Sequence, residues 1–319
     1  MLNDNFHFHP LSRGALGAVV PSAVIALFLA GSPAIAQQSG RKSFASAREA
    51  CKSLVDALQA DDVPVLMSIL GPAGKDLLTS GDPVEDKENR GDFVKKYQQM
   101  HRLVIEPDGT TTLYIGAENW PTPISLVKNG NAWYFDTLAA EPEVLYRRIG
   151  RNELAVIQVC HELVAAEKEY YAMPHDGDSG KEYAARFYSD PDKHNGLYWE
   201  VSQGEPESPI GPFVALASAE GYADHPGRKQ EPFQGYYFGI LKAQGANAPR
   251  GARNYVTGGK MTGGFAFVAY PAEYQSSGVM TFIVAEDGIV YEKDQGPHTA
   301  EAAKAMTDFD PDASWHKVK

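Results

Sequence analysis

The chain has 319 residues and a formal net charge of −12. An acidic balance of that size repels phosphate backbones and anionic lipid surfaces. Its basic residues are dispersed, with pairs at Arg41–Lys42 and Arg147–Arg148 and no extended stripe, so nucleic acid is not an expected partner.

The first residues carry Asp4 and Arg13, followed by an apolar run from Ala15 to Ala30. That run has the length of a signal-peptide core and is too short to span a bilayer. Ala34 and Ala36 place small side chains where a signal peptidase accepts them, which predicts cleavage after Ala36 and a periplasmic or secreted mature protein. Asp4 and Arg13 cancel, so removal of residues 1–36 leaves the net charge at −12. No cysteine follows the core to carry a lipid anchor, and no second apolar stretch reaches spanning length. What remains exceeds the usual size of a single-core domain, and two domains are expected.

From Ser43 to Ala60, residues Phe44, Ala47, Ala50, Cys51, Leu54, Val55 and Leu58 recur at three and four, the stripe of an amphipathic helix with Ser43 or Ser46 as its cap. Asp61, Asp62 and Pro64 open a second short helix that Gly71 and Pro72 stop. A third is predicted over Arg90–Met100. Alternation then replaces helical spacing. Leu103 and Ile105 lead through Pro107, Asp108 and Gly109 to Thr111, Leu113 and Ile115, and Ile124–Lys128 leads through Asn129–Gly130 to Trp133–Phe135, giving two hairpins. Helices followed by a curled antiparallel sheet make an α+β cone.

Ala139–Pro142 reads as a linker, and Glu143–Tyr171 as the longest helix. Asn152 is a candidate cap within it; Val156, Cys160, Leu163, Glu167 and Tyr170 share one face, broadened by Leu154, Ile157 and Val164. Residues 173–235 are rich in Pro, Gly, Asp and Ser, with helical turns predicted at Tyr183–Tyr188 and Phe213–Glu220. Strands follow at Tyr236–Lys242, Gly264–Tyr270, Val279–Ala285 and Ile289–Lys293. The fold class is therefore α+β throughout: a leader over 1–36, a cone-like domain over 37–142, and a long helix packed on an antiparallel sheet over 143–319.

Cys51 and Cys160 permit one disulfide in an oxidising compartment; the alternative is two buried thiols on separate helices. Asp176, Asp178, Ser179 and Glu182 alternate as calcium ligands would, but Gly180 and Phe187 stand where an EF-hand needs ligands, so a solvated acidic turn is the better reading. Asp308, Asp310 and Asp312, beside Pro311 and Trp315, read as a docked terminal turn. The histidines lack zinc spacing. His161 follows Cys160, and neighbours on a helix point about 100° apart, too far for a nucleophile and its base. No G-x-S-x-G or S-x-x-K frames a serine nucleophile. The glycines of YVTGGKMTGGF fit a β-turn better than an anion cradle. No metal or cofactor is expected.

Three phrases, RRIGRNELAVIQVC near 147–160, QGYYFGILKAQG at 234–245 and MTGGFAFVAYPAEYQSSGVMTFIVAEDGIVYEKDQGP at 261–297, together with the closing FDPDASW, resemble the exported bacterial family catalogued as domain of unknown function 2950. The resemblance covers roughly 43–317 and implies export without implying an activity. The Asn-Gly-Asn-Ala-Trp-Tyr-Phe ending of the N-terminal half is similar to nuclear transport factor 2-like cones, and the C-terminal order of long helix then sheet is similar to pilin heads. The internal helix departs from pilins in carrying His161, Glu162, Glu167, Lys168 and Glu169, so assembly into a filament is not implied.

These observations predict a non-enzymatic binding or envelope-assembly accessory whose partner is a small molecule or an envelope protein. The competing expectation is a periplasmic enzyme with a small-molecule pocket in the cone, for which Asp92, His101, Glu118 and Asp136, with Trp133 at the mouth, are the candidate residues. A converging set in an apolar pocket would favour the enzyme, and a filled cone the accessory.

Overall fold

The computed structural model describes residues 40–173, 175, 181–201, 207–220, 222 and 231–319. Gly40–Lys319 forms one compact unit. Two hydrophobic clusters lie within it, one built from residues 44–135 and the other from residues 156–309.

The N-terminal cluster forms where helices cover one face of a sheet. Helix α1 (Ala47–Gln59) is capped by Ser46, whose hydroxyl accepts the Glu49 N–H, and it buries Ala50, Cys51, Leu54, Val55 and Leu58. Asp62 caps α2 (Val63–Leu70) through the Val65 N–H, and α3 (Gly74–Leu78) follows. Helix α4 spans Pro83–Gln99, seven residues earlier than the predicted start at Arg90. Asp82 is its cap and Pro83 its first residue, a start signal that the apolar pattern around Phe93 and Val94 obscures. Strands β1 (His101–Ile105), β2 (Thr111–Ile115), β3 (Trp120–Pro121), β4 (Leu126–Asn129) and β5 (Ala132–Phe135) pair antiparallel in the order β1-β2-β4-β5, with β3 on β2. Leu113, Ile115, Leu126 and Phe135 meet Leu54, Leu66 and Ile69 in the core.

Helix α5 runs from Thr137 to Ala172, straight through the predicted linker at Ala139–Pro142. Pro142 lies in its second turn, where the missing N–H removes one bond from a ladder of 36 residues. Val156, Cys160, Leu163, Glu167 and Tyr170 are all buried, as their spacing requires. Leu154 is not part of that face: it is 68% exposed, since two residues turn it about 200° from Val156. The buried face packs on β12 (Met280–Ala285), β11 (Ala266–Pro271) and β13 (Val290–Asp294).

Those three strands, with β6 (Tyr236–Leu241) and β15 (His316–Lys317), form an antiparallel sheet ordered β15-β13-β12-β11-β6. In register, Phe267 faces Ile240 on one side and Val284 on the other. Every residue of β11 is buried, because α7 (Thr299–Ala305) packs on it as well as α5. Between β6 and β11 lie β7 (Ala243–Gln244), β8 (Arg253–Asn254), β9 (Val256–Thr257) and β10 (Lys260–Met261); β14 (Asp308–Phe309) pairs parallel with β7. The β9–β10 hairpin turns at Gly258 and Gly259, with φ of +60° and +82°, so these glycines serve a tight turn.

Helix α6 spans Gly211–Glu220 near its predicted place, but Tyr183–Tyr188 is not helical. The Tyr183 N–H donates to the Met261 carbonyl, and the Arg186 and Phe187 carbonyls accept from the Leu197 and Tyr198 N–H groups beside a Tyr188–Tyr198 bridge, so the segment is held extended by distant chain. Cys51 and Cys160 are buried free thiols on separate helices, Cys51 in the N-terminal cluster and Cys160 in the C-terminal one. Burial pushes both thiols up to about 12. Asp310 accepts from the Asn247 backbone and side chain, and Asp312 from Ser314, as a docked terminal turn requires. The proposed calcium-like loop lies outside the described residues, apart from Glu182.

Candidate functional site

The five residues predicted to line a cone pocket do not meet in one. Asp92 faces solvent on α4 and pairs with Lys95 at 2.9 Å. His101 is exposed at the start of β1, with its ring stacked on Tyr97 at 3.8 Å and Nδ1 2.9 Å from the Tyr97 carbonyl. Glu118 is exposed between β2 and β3. Half-buried Trp133 exchanges backbone hydrogen bonds with Phe44 and carries the Lys128 ammonium over its ring. Asp136 precedes α5 without capping it through its side chain. Beside them, Leu113, Ile115, Leu126 and Phe135 belong to the N-terminal core. His161 is exposed while Cys160 is buried, as their adjacency on α5 dictates. Among the described residues, no group of His, Cys, Asp and Glu is arranged to hold a metal ion.

A cavity of about 140 Å³ opens instead in the C-terminal half. Val159 and Leu163 of α5 form its floor; Phe187, Tyr188 and Ile210 come from the irregular segment; Phe213, Val214, Ala217 and Ser218 come from α6, and Tyr222, Phe233 and Phe238 complete the wall. Phe213 and Tyr222 both meet Phe233 at steep angles, with ring centroids 4.8 Å and 4.9 Å away. Among the described residues, no charged side chain lines the space.

A buried polar junction with the N-terminal half holds this wall in place. Asp82, 1% exposed, accepts the Val84 and Glu85 N–H groups on Oδ1 at 3.2 Å and 3.1 Å, which is its capping role. Its Oδ2 accepts the Tyr222 hydroxyl at 2.7 Å and the Gly235 N–H at 3.0 Å. One carboxylate thus ties the start of α4 to the cavity wall. Burial, reinforced by Asp82, pushes the Tyr222 hydroxyl far above its usual range and keeps it a donor. Beside it, Glu85 accepts from Arg151 at 2.9 Å and from Asn152 at 3.2 Å, and Asn152 also donates to the Ser277 carbonyl at 3.0 Å. Asn152 is therefore fully buried within α5 and caps nothing, contrary to the sequence reading. Burial raises the Glu85 carboxyl against the opposing pull of Arg151, and raises Asp86 against the Ser80 N–H. Arg148 crosses the same junction to the carbonyls of Asp76 and Leu77 at 3.0 Å and 2.6 Å.

Glu167 stands apart from the cavity, one turn beyond Leu163. Its Oε2 accepts the Ala184 N–H at 2.9 Å while Oε1 has no partner among the described residues, and burial pushes its carboxyl up to about 8. Desolvation is the dominant cause, since it penalises the charged form.

The cavity escaped sequence reasoning because its lining spans Val159 to Phe238 without a periodic signal; only the aromatic content of the irregular segment hinted at it. A family profile described as "Protein of unknown function (DUF2950)" matches residues 41–318. No curated protein and no solved structure matches the chain, so the likenesses to pilin heads and to nuclear transport factor 2-like cones gain no support.

Proposed function

The chain belongs to the DUF2950 family, whose description names no activity, and from the geometry we propose an exported, non-catalytic binding protein that works through the cavity on α5 and α6. The observation that carries this reading is a pre-formed space of about 140 Å³ lined almost wholly by apolar and aromatic side chains. Among the described residues such a lining offers burial and dispersion but no acid, base or nucleophile beyond hydroxyls, and Tyr222 is committed to Asp82. Export rests on the leader pattern: the apolar core to Ala30 and the small residues Ala34 and Ala36 send the mature chain to the periplasm or beyond. Its partner there is a small molecule, or an envelope protein carrying an apolar group.

Mass spectrometry of protein purified from the periplasm tests export, and saturation-transfer NMR with the neutral one-ring probe toluene tests binding. A chain beginning at Gln37, and toluene binding that is lost on filling the cavity with Ala217→Phe, are expected. An uncleaved chain would overturn export, and no toluene binding by wild type would overturn binding.

A further inference from the structure

The shape and chemistry of the cavity narrow what it takes. This step rests on the reading of the cavity as a binding site. Phe213 and Tyr222 already present edges and faces to Phe233 at interplanar angles of 67° and 60°. Aromatic rings favour edge-to-face contact over a stacked sandwich, with an attraction beyond their buried area. A guest ring continues that packing, whereas a saturated guest of the same size gains only burial. The volume of about 140 Å³ is close to that of apolar cavities known to accept one benzene-sized molecule, about 150 Å³.

Charge selects further. Asp82 accepts a hydrogen bond from the Tyr222 hydroxyl, and none of the described lining residues carries a charge, so among them the wall presents neither a cation to an anion nor a free acid to a cation. A charged group inside would lose its hydration without a partner. Half-exposed Tyr188 and the α6 residue Ser218 are lining residues that carry hydroxyls, which suits a ligand whose polar portion stays outside.

We infer that the cavity takes a single uncharged aromatic ring, presented as the apolar end of a ligand whose polar part remains in water. The test compares benzyl alcohol with cyclohexylmethanol, which share the hydroxymethyl group and differ in the ring, by saturation-transfer NMR titration of the full mature protein. Benzyl alcohol should bind about two- to tenfold more tightly, the factor an aromatic pair contributes beyond area. Phe213→Leu should bring the two affinities within about twofold by removing one wall ring while leaving the cavity open. Ala217→Phe should abolish binding of both. Equal affinities in wild type, or an unchanged preference in Phe213→Leu, would overturn the aromatic class while leaving an apolar site standing. Absence of binding by either alcohol would sink the binding reading itself. Retained binding in a folded Ala217→Phe protein would place the ligand elsewhere and overturn the assignment; Phe213→Leu keeps the test decisive if that variant does not fold.

Discussion

Glu167→Gln should change how stability depends on pH. In the folded chain the Glu167 carboxyl is pushed from 4.5 up to about 8 by burial in the C-terminal core. Between those two values the folded state holds a proton that the unfolded state has released, so stability falls as pH rises. The loss begins near the unfolded value, is complete above the folded one, and runs at about 1.4 kcal/mol per pH unit. By pH 7 the descent covers about 2.5 units, or roughly 3 kcal/mol, and the whole window is worth roughly 5 kcal/mol. Glutamine keeps an oxygen for the Ala184 N–H and cannot ionise. Urea denaturation followed by tryptophan fluorescence at pH 5, 6, 7 and 8 measures the difference. The variant should match wild type near pH 5 and exceed it by a few kcal/mol at pH 8. Glu85 and Asp86, also raised by burial, shift both proteins equally and cancel. Parallel stability curves for the two proteins from pH 5 to 8 would refute the reasoning.

Gly235→Ala should destabilise by at least about 2 kcal/mol in the same urea assay, because φ is +73° there and a Cβ would meet the Asn152 amide at 2.6 Å. A loss below about 0.5 kcal/mol would show that the junction is looser than its geometry implies. Asp82→Ala should cost about 2–4 kcal/mol, combining a lost helix cap with the unpaired Tyr222 hydroxyl and Gly235 N–H. Asp82→Asn should recover part of that loss, since its carbonyl oxygen still caps α4. Cys51 and Cys160, buried and with thiols held up near 12, should resist iodoacetamide at pH 8 in the folded protein and both react in concentrated guanidinium. Alkylation of either thiol in the native state, read by mass spectrometry, would contradict the packing of its core.

Local chemistry made the elements legible. Ser46 and Asp62 announce helices because their side chains satisfy N–H groups within three residues, and Asn129–Gly130 announces a hairpin because it suits a tight turn. The buried face of α5 was readable for a similar reason: a spacing of three and four places Val156, Cys160, Leu163, Glu167 and Tyr170 on one side whatever covers them. The errors mark where tertiary contacts outweigh that code. Pro142 reads as a break, yet the helix continues through it; Tyr183–Tyr188 has helical composition, yet its backbone pairs with Met261 and with Leu197 and Tyr198.

For this protein the sequence alone determined the α+β class, the family likeness and the face of α5, because each depends on residues close together in the chain. Tertiary structure decided the N-terminal core, the two separate thiols and the cavity. The bond from Tyr222 to Asp82 spans 140 residues, and the separation of Asn152 from Glu85 is 67. Contacts at such distances leave no periodic trace, since neither residue constrains the other until folding has brought α4, α5 and the segment before β6 to one place.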